Sequence, residues 1–222
     1  MFGLIPFLRS TIGKKVLMAL SGFFLLAFAV EHVVGTMLFL KGPEAINGYG
    51  KLLHSSPALI WTFRSLLLLA AAVHICAATQ LYFQQLAARP VGYQTRRYLR
   101  ASYAARTMKY SGPFLAAFVL FHLAHLTWGY NVVPGSAFVE GDIHANMLNG
   151  FRTPWVSLVY ISAVCLLGLH LLHGAHSMFE SLGLRHRRIE NWLLGLGKLV
   201  AVVVCVGLIL APVAVLAGII GG

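Results

Sequence analysis

Residues 199–220 read LVAVVVCVGLILAPVAVLAGII. A transmembrane β-strand alternates apolar and polar residues, and this run does not. About 20 mostly apolar residues are needed to carry an α-helix across ~30 Å of hydrocarbon. Backbone groups in lipid must be satisfied within their own segment, so the run reads as a membrane-spanning helix. Working outward, four more stretches share this character, including LLLLAAAV at 66–73. The expected spans are 15–40, 58–86, 108–130, 155–180 and 194–219. The fold expected is therefore all-α, an integral membrane bundle of five transmembrane helices in one domain over 1–222. The first run is too long for a signal peptide, has no small-residue cleavage site and contains Glu31 and His32, so it too reads as a span.

Composition agrees. Of 222 residues, 59% are hydrophobic and 10% are charged. A soluble domain is about a quarter charged. A water-soluble globule and a disordered tail are both excluded, and the formal charge of +11 does not imply nucleic-acid binding in so apolar a chain. Cys76, Cys165 and Cys205 all lie in apolar runs and read as small hydrophobes, not as a disulfide framework.

The charge follows topology. Arg9, Lys14 and Lys15 precede the first span, and Arg89, Arg96, Arg97, Arg100, Arg106 and Lys109 lie around the second link. Arg185, Arg187, Arg188 and Lys198 flank the fourth link, so 13 of the 17 basic residues fall on one side. The positive-inside rule then places the N-terminus in the cytoplasm and the C-terminus outside. That face also attracts anionic lipid and suits the docking of a peripheral subunit.

Ten histidines are unusual in such a chain, because imidazole in lipid is costly without a function. An internal repeat organises them. SGFFLLAFAVEH (21–32) and SGPFLAAFVLFH (111–122) share Ser, Gly, Phe, Leu, Ala, Phe and His without a gap. Each ends in a histidine ten residues after the glycine, His32 and His122. The span following each begins near a tryptophan, Trp61 or Trp155, and carries a mid-span histidine, His74 or His170. At 1.5 Å per residue, His32 lies ~25 Å and His122 ~21 Å from the cytoplasmic starts of their spans, and His74 and His170 lie ~16–18 Å from theirs. Four histidines thus form an outer pair, His32 and His122, and an inner pair, His74 and His170.

Zinc and copper sites draw three or four protein ligands to one point. Two imidazoles facing each other across a bundle instead suit a b-type haem, whose porphyrin supplies the remaining nitrogens, and bis-His ligation favours electron transfer over oxygen binding. No CxxCH is present for covalent attachment. Gly22 and Gly112 precede their histidines by ~15 Å, near the inner level, where a missing side chain would make room for a macrocycle. His125, His173 and His176 read as structural groups or as hydrogen-bond partners of propionate, quinone or backbone. His54, His144 and His186 read as solvated link residues. Arg64 is a candidate propionate partner, with snorkelling to the interface as the alternative.

These residues resemble the five-helix, di-haem cytochrome b membrane-anchor subunit of succinate dehydrogenases and fumarate reductases (succinate:quinone oxidoreductases of b558 type). The SG-x9-H segments, AAAVH at 70–74 and the link GPEAINGYG at 42–50 carry the resemblance across nearly the whole chain. It implies haem-ligand histidines on the first four helices. In HLLHGAHSMFESLG (170–183), the family's His, then Gly four and thirteen residues later, falls on His170, Gly174 and Gly183, with His173 as runner-up. The resemblance implies that His32 pairs with His122 and His74 with His170. Where some members carry a Glu two residues before this ligand, linked to transmembrane proton movement, this chain has Gly168; Glu31 and Glu180 are the remaining carboxylates in or near the membrane.

The resemblance further implies two haem b groups, menaquinone or another quinone as substrate, and flavoprotein and iron–sulfur subunits on the cytoplasmic side. It implies an inner (cytoplasmic) membrane location as a multi-pass, quinone-reactive electron-transfer subunit of a respiratory enzyme of the tricarboxylic acid cycle. Ser177, Trp192, Lys198 and His186 lie near the cytoplasmic ends, without an assigned role. Two rivals stand beside this reading: the di-haem cytochrome b anchor of a formate dehydrogenase or hydrogenase, and a proton-coupled transporter, which would show broken helices at mid-membrane.

Overall fold

A computed structural model of the chain describes residues 3–89, 91, 101–130, 132–135, 138–184, 186 and 188–222. Among the described residues the regular structure is helical. Five long helices dominate: α2 (Thr11–Met37), α4 (Pro57–Ala87), α5 (Tyr103–Leu126), α7 (Pro154–Ser181) and α8 (Glu190–Leu216). Three short ones accompany them: α1 (Leu4–Arg9), α3 (Pro43–His54) and α6 (Ile143–Phe151).

The helix ends follow local chemistry. Ser10, Ser56 and Ser102 cap α2, α4 and α5 by accepting from the backbone N–H of Gly13, Leu59 and Ala105. Pro57 and Pro154 open α4 and α7, where a missing N–H costs nothing. The expected span at 108–130 is displaced toward the N-terminus, to Tyr103–Leu126. Gly129 is the cause: at φ +67° it turns the chain left-handed just past the helix, and Trp128 N–H and Tyr130 N–H return to the carbonyls of Leu123 and Ala124. Gly183, at φ +70°, ends α7 in the same way, with Leu184 N–H donating to the Phe179 carbonyl.

Among the described residues, four segments are long and apolar enough to cross a membrane: Thr11–Lys41, Pro57–Ala87, Pro154–Ser181 and Glu190–Leu216. α5, the expected third span, lies alongside them but carries Lys109, Ser111, Pro113, His122 and His125. Of the 31 residues of α4 only Ala77 is buried, and Leu68 and Leu69 are largely exposed. Apolar side chains facing outward around the bundle are what a lipid solvent favours, and together with the four spans they mark a multi-pass membrane protein. The basic residues Arg96, Arg97, Arg100, Arg185 and Arg187 lie outside the described residues.

α2 packs on α4, α7 and α8, and α5 packs on α7. The repeat thus appears in space as two helix pairs, α2–α4 and α5–α7, with α8 braced against α2 and α7. One end of the bundle is capped by the two short link helices. Asn47 of α3 donates to Asp142 Oδ1 at 2.9 Å and accepts from the His144 N–H at 3.1 Å. Asn146 holds Val139 through both its amide groups at 2.7 Å. Beneath this cap lies the larger apolar core, built around Phe39, Ile46, Met147, Phe151, Val156 and Tyr160. A smaller cluster, Val33, Leu171, Ala201 and Val204, joins α2, α7 and α8 further down. α1 sits at the opposite end, the base, turned back on α2 at Ser10.

Candidate cofactor site

The four histidines expected on successive spans meet in two pairs inside the bundle. On the cap side, the rings of His32 (α2) and His122 (α5) lie 5.8 Å apart, centre to centre, at 86°. On the base side, those of His74 (α4) and His170 (α7) lie 6.2 Å apart at 57°. Two imidazoles on opposite faces of one iron, with ~2 Å for each metal–nitrogen bond, place their ring centres about 6 Å apart. The pairs have that spacing.

Nitrogen chemistry offers a second test. A neutral histidine that ligates a metal through Nε2 keeps its proton on Nδ1, which needs an acceptor. His74 Nδ1–H donates to the Met18 carbonyl at 3.1 Å, with Ser21 Oγ 3.4 Å away. His170 Nδ1 lies 3.5 Å from Ser111 Oγ. His122 Nδ1 lies 3.3 Å from the Tyr160 hydroxyl. In each case Nδ1 faces protein polar atoms, which leaves Nε2 for a metal. His32 is stacked on Phe28, with ring centres 5.5 Å apart. Ser21 and Ser111 are the paired serines of the repeat, and each stands beside the base-side histidine of the next span.

The glycines differ. A Cβ on Gly22 would sit 3.1 Å from His74 Cε1, so this glycine lets α2 close onto the base-side pair. A Cβ on Gly112 would meet nothing within 4 Å, leaving an open cradle at the same level. Among the described residues, no group of three or more His, Cys, Asp or Glu converges as a bare metal ion would need. Two pairs, each completed by a tetrapyrrole, match this donor set, so the residues fit haem b.

The remaining candidates fall elsewhere. His173 stands one turn beyond His170 on α7 and has no ring contact across the bundle among the described residues. His176 has a buried Nε2 without a partner among the described residues. Arg64 lies over the Trp61 ring at 5.5 Å and donates to His54 Nε2 at 3.3 Å, at the cap end of α4. His144 lies against Phe39 with ring centres 4.8 Å apart and planes tilted by 32°, and His186 Nδ1 accepts from the Arg188 N–H. Gly168 abuts Cys205 of α8, where a Cβ would come within 2.3 Å of Sγ, so a Glu there would not fit between α7 and α8. Glu31 accepts a short hydrogen bond from Tyr49 of α3. That carboxylate holds the Tyr49 proton, raising its pKa to about 12.

Two features escape a reading of sequence alone. Tyr160, which is 7% exposed, places its hydroxyl between His122 and His125, 3.0 Å from Nδ1 of the latter. The Asn47–Asp142 clamp joins residues 95 positions apart. No family model, curated protein or solved structure matches this chain.

Proposed function

We propose that this chain is the membrane-anchor cytochrome b subunit of a succinate:quinone oxidoreductase. In this reading His32 and His122 hold one haem b, and His74 and His170 hold the other. The single observation that carries it is the meeting of four histidines, one from each of four long helices, as two pairs at two levels.

The bound groups would supply one-electron transfer between membrane quinone and an iron–sulfur subunit. The chain's own contribution is structural. Two imidazoles would hold each haem, His32 and His122 the one and His74 and His170 the other, and a group held on both sides would favour electron transfer over binding of oxygen. Met18, Ser21, Ser111 and Tyr160 orient the rings through Nδ1. The apolar bundle excludes water from both levels and lowers the local dielectric. The base end, with Arg9, Lys14 and Lys15, faces the cytoplasm in this reading and receives the iron–sulfur and flavoprotein subunits. The capped end faces outward, and the membrane is the inner (cytoplasmic) one. α5 then completes five spans.

The test is optical and chemical. The purified full-length chain should show a b-type band in its reduced-minus-oxidised spectrum and bind two haems per polypeptide. A preparation without that band overturns the proposal. Purification with its native partners should bring down a flavoprotein and an iron–sulfur protein; a molybdenum or nickel subunit instead would assign the chain to a formate dehydrogenase or hydrogenase.

A further inference from the structure

His125 is buried, at 6% exposure, and its Nε2 has no hydrogen-bond partner among the described residues. It lies against α6 so closely that a Cβ on Gly150 would come within 2.5 Å of Nε2. It also lines a cavity of about 10 Å³ under the cap, with Tyr130, Val133, Phe138 and Asn146. That volume is about the size of one water. Its Nδ1 shares the Tyr160 hydroxyl with His122, at 3.0 and 3.3 Å.

Tyr160 has one proton, so it donates to one histidine and accepts from the other. Ligation of His122 through Nε2, which rests on the function proposed above, decides which. His122 must then carry its proton on Nδ1 and donate to the Tyr160 oxygen. The tyrosine proton is left to His125 Nδ1, and His125 must carry its own proton on Nε2. A buried donor without an acceptor is costly, and the small cavity that His125 lines together with Asn146 and Tyr130 offers room for one.

We propose that Tyr160 and His125 form a directional hydrogen-bond relay that orients and tunes the cap-side ligand His122, and that the relay ends on a single buried water in the cavity beneath α6. Both are positioning residues. A ligand imidazole whose N–H donates to a good acceptor is a stronger base and stabilises the oxidised metal. His125 polarises the tyrosine hydroxyl and makes it a better acceptor, since bonds in a chain strengthen one another. Among the described residues the base-side pair shows no such relay: His74 donates to a backbone carbonyl and His170 lies beside Ser111 Oγ.

The test is a redox titration of the full-length haem-loaded chain, with the two haems resolved by spectrum and by electron paramagnetic resonance. Tyr160→Phe keeps the ring and removes the acceptor. The midpoint potential of the cap-side haem should rise and its low-spin signal should move, with the base-side haem unchanged. His125→Phe retains the tyrosine and should give a smaller rise in the same direction, which guards against a folding defect in the first variant. Unchanged potentials in both variants, or equal shifts of both haems, overturn the relay while leaving the cytochrome reading intact. A wild-type chain without haem overturns both. A high-resolution map without density for a water within reach of His125 Nε2 removes the terminal water.

Discussion

His74 and His170 face each other across the bundle with ring centres 6.2 Å apart, while His173, one turn along the same helix, meets no ring on the other side among the described residues. This relationship separates three nearby histidines on α7. His170→Ala should therefore halve the haem content of the purified chain, leaving one group per polypeptide, while His173→Ala should retain both. Pyridine haemochrome assay against protein concentration measures this. Equal loss in the two variants would break the assignment of His170.

Gly22 touches the base-side pair and Gly112 opens beside it, so the two should respond differently to small and large side chains. Gly22→Ala should already disturb the base-side haem's spectrum, because its Cβ would come within 3.1 Å of His74 Cε1. Gly112→Ala meets nothing within 4 Å and should be tolerated, whereas Gly112→Leu should exclude the macrocycle from the cradle. The cap-side haem's band is the internal control in each spectrum.

Gly168 is set by packing. Its missing Cβ admits Cys205 Sγ, which donates to the Val164 carbonyl at 3.4 Å. Overpacking of a close interface costs about 1–3 kcal/mol, so Gly168→Ala should lower thermal stability in detergent. Gly168→Glu adds a buried charge and should lower it further. An undiminished melting temperature would show that α7 and α8 can part freely here.

Asp142 ties the cap together and gives it a pH dependence of known sign. Hydrogen bonds from Ala145 N–H and from Asn47 hold its carboxyl below its ordinary 3.8. A lowered pKa in the fold means that the contribution is complete above 3.8 and fades as pH falls below it, through the folded value. Protection of the α3 and α6 amides against hydrogen exchange, corrected for the intrinsic rate at each pH, should therefore fall below about pH 4, by this linkage. Asp142→Ala should remove that dependence and cost about 1 kcal/mol at neutral pH, the usual value of a lost N-cap. Unaltered exchange in the variant would mean that the apolar core below holds the cap alone.

Much of the bundle was legible because lipid leaves few choices. Runs such as 66–73 and 199–220 must be helices wherever they are buried in hydrocarbon, and the repeat 21–32 and 111–122 announces two equivalent pairs. Helix ends were less legible. Gly129 stops α5 at Leu126, short of the expected 130, since a left-handed turn depends on one residue and not on average hydropathy. The pairing levels of His32 with His122 and of His74 with His170 followed from counting along straight rods, which preserve distance.

Counting along one helix says nothing about what stands across from it. The hydroxyl of Tyr160 between two histidines, the clamp of Asn47 on Asp142 and the press of Gly168 on Cys205 join positions 35 to 95 residues apart, or link separate helices through their rotation. Hydrophobic content in a uniform solvent does not specify that rotation, because lipid accepts every apolar face equally. The sequence by itself determined the helices, their order and the two levels at which their histidines lie along the bundle. Only the tertiary structure decided which faces meet, because in lipid that choice rests on close packing and polar contacts between helices, not on the avoidance of water.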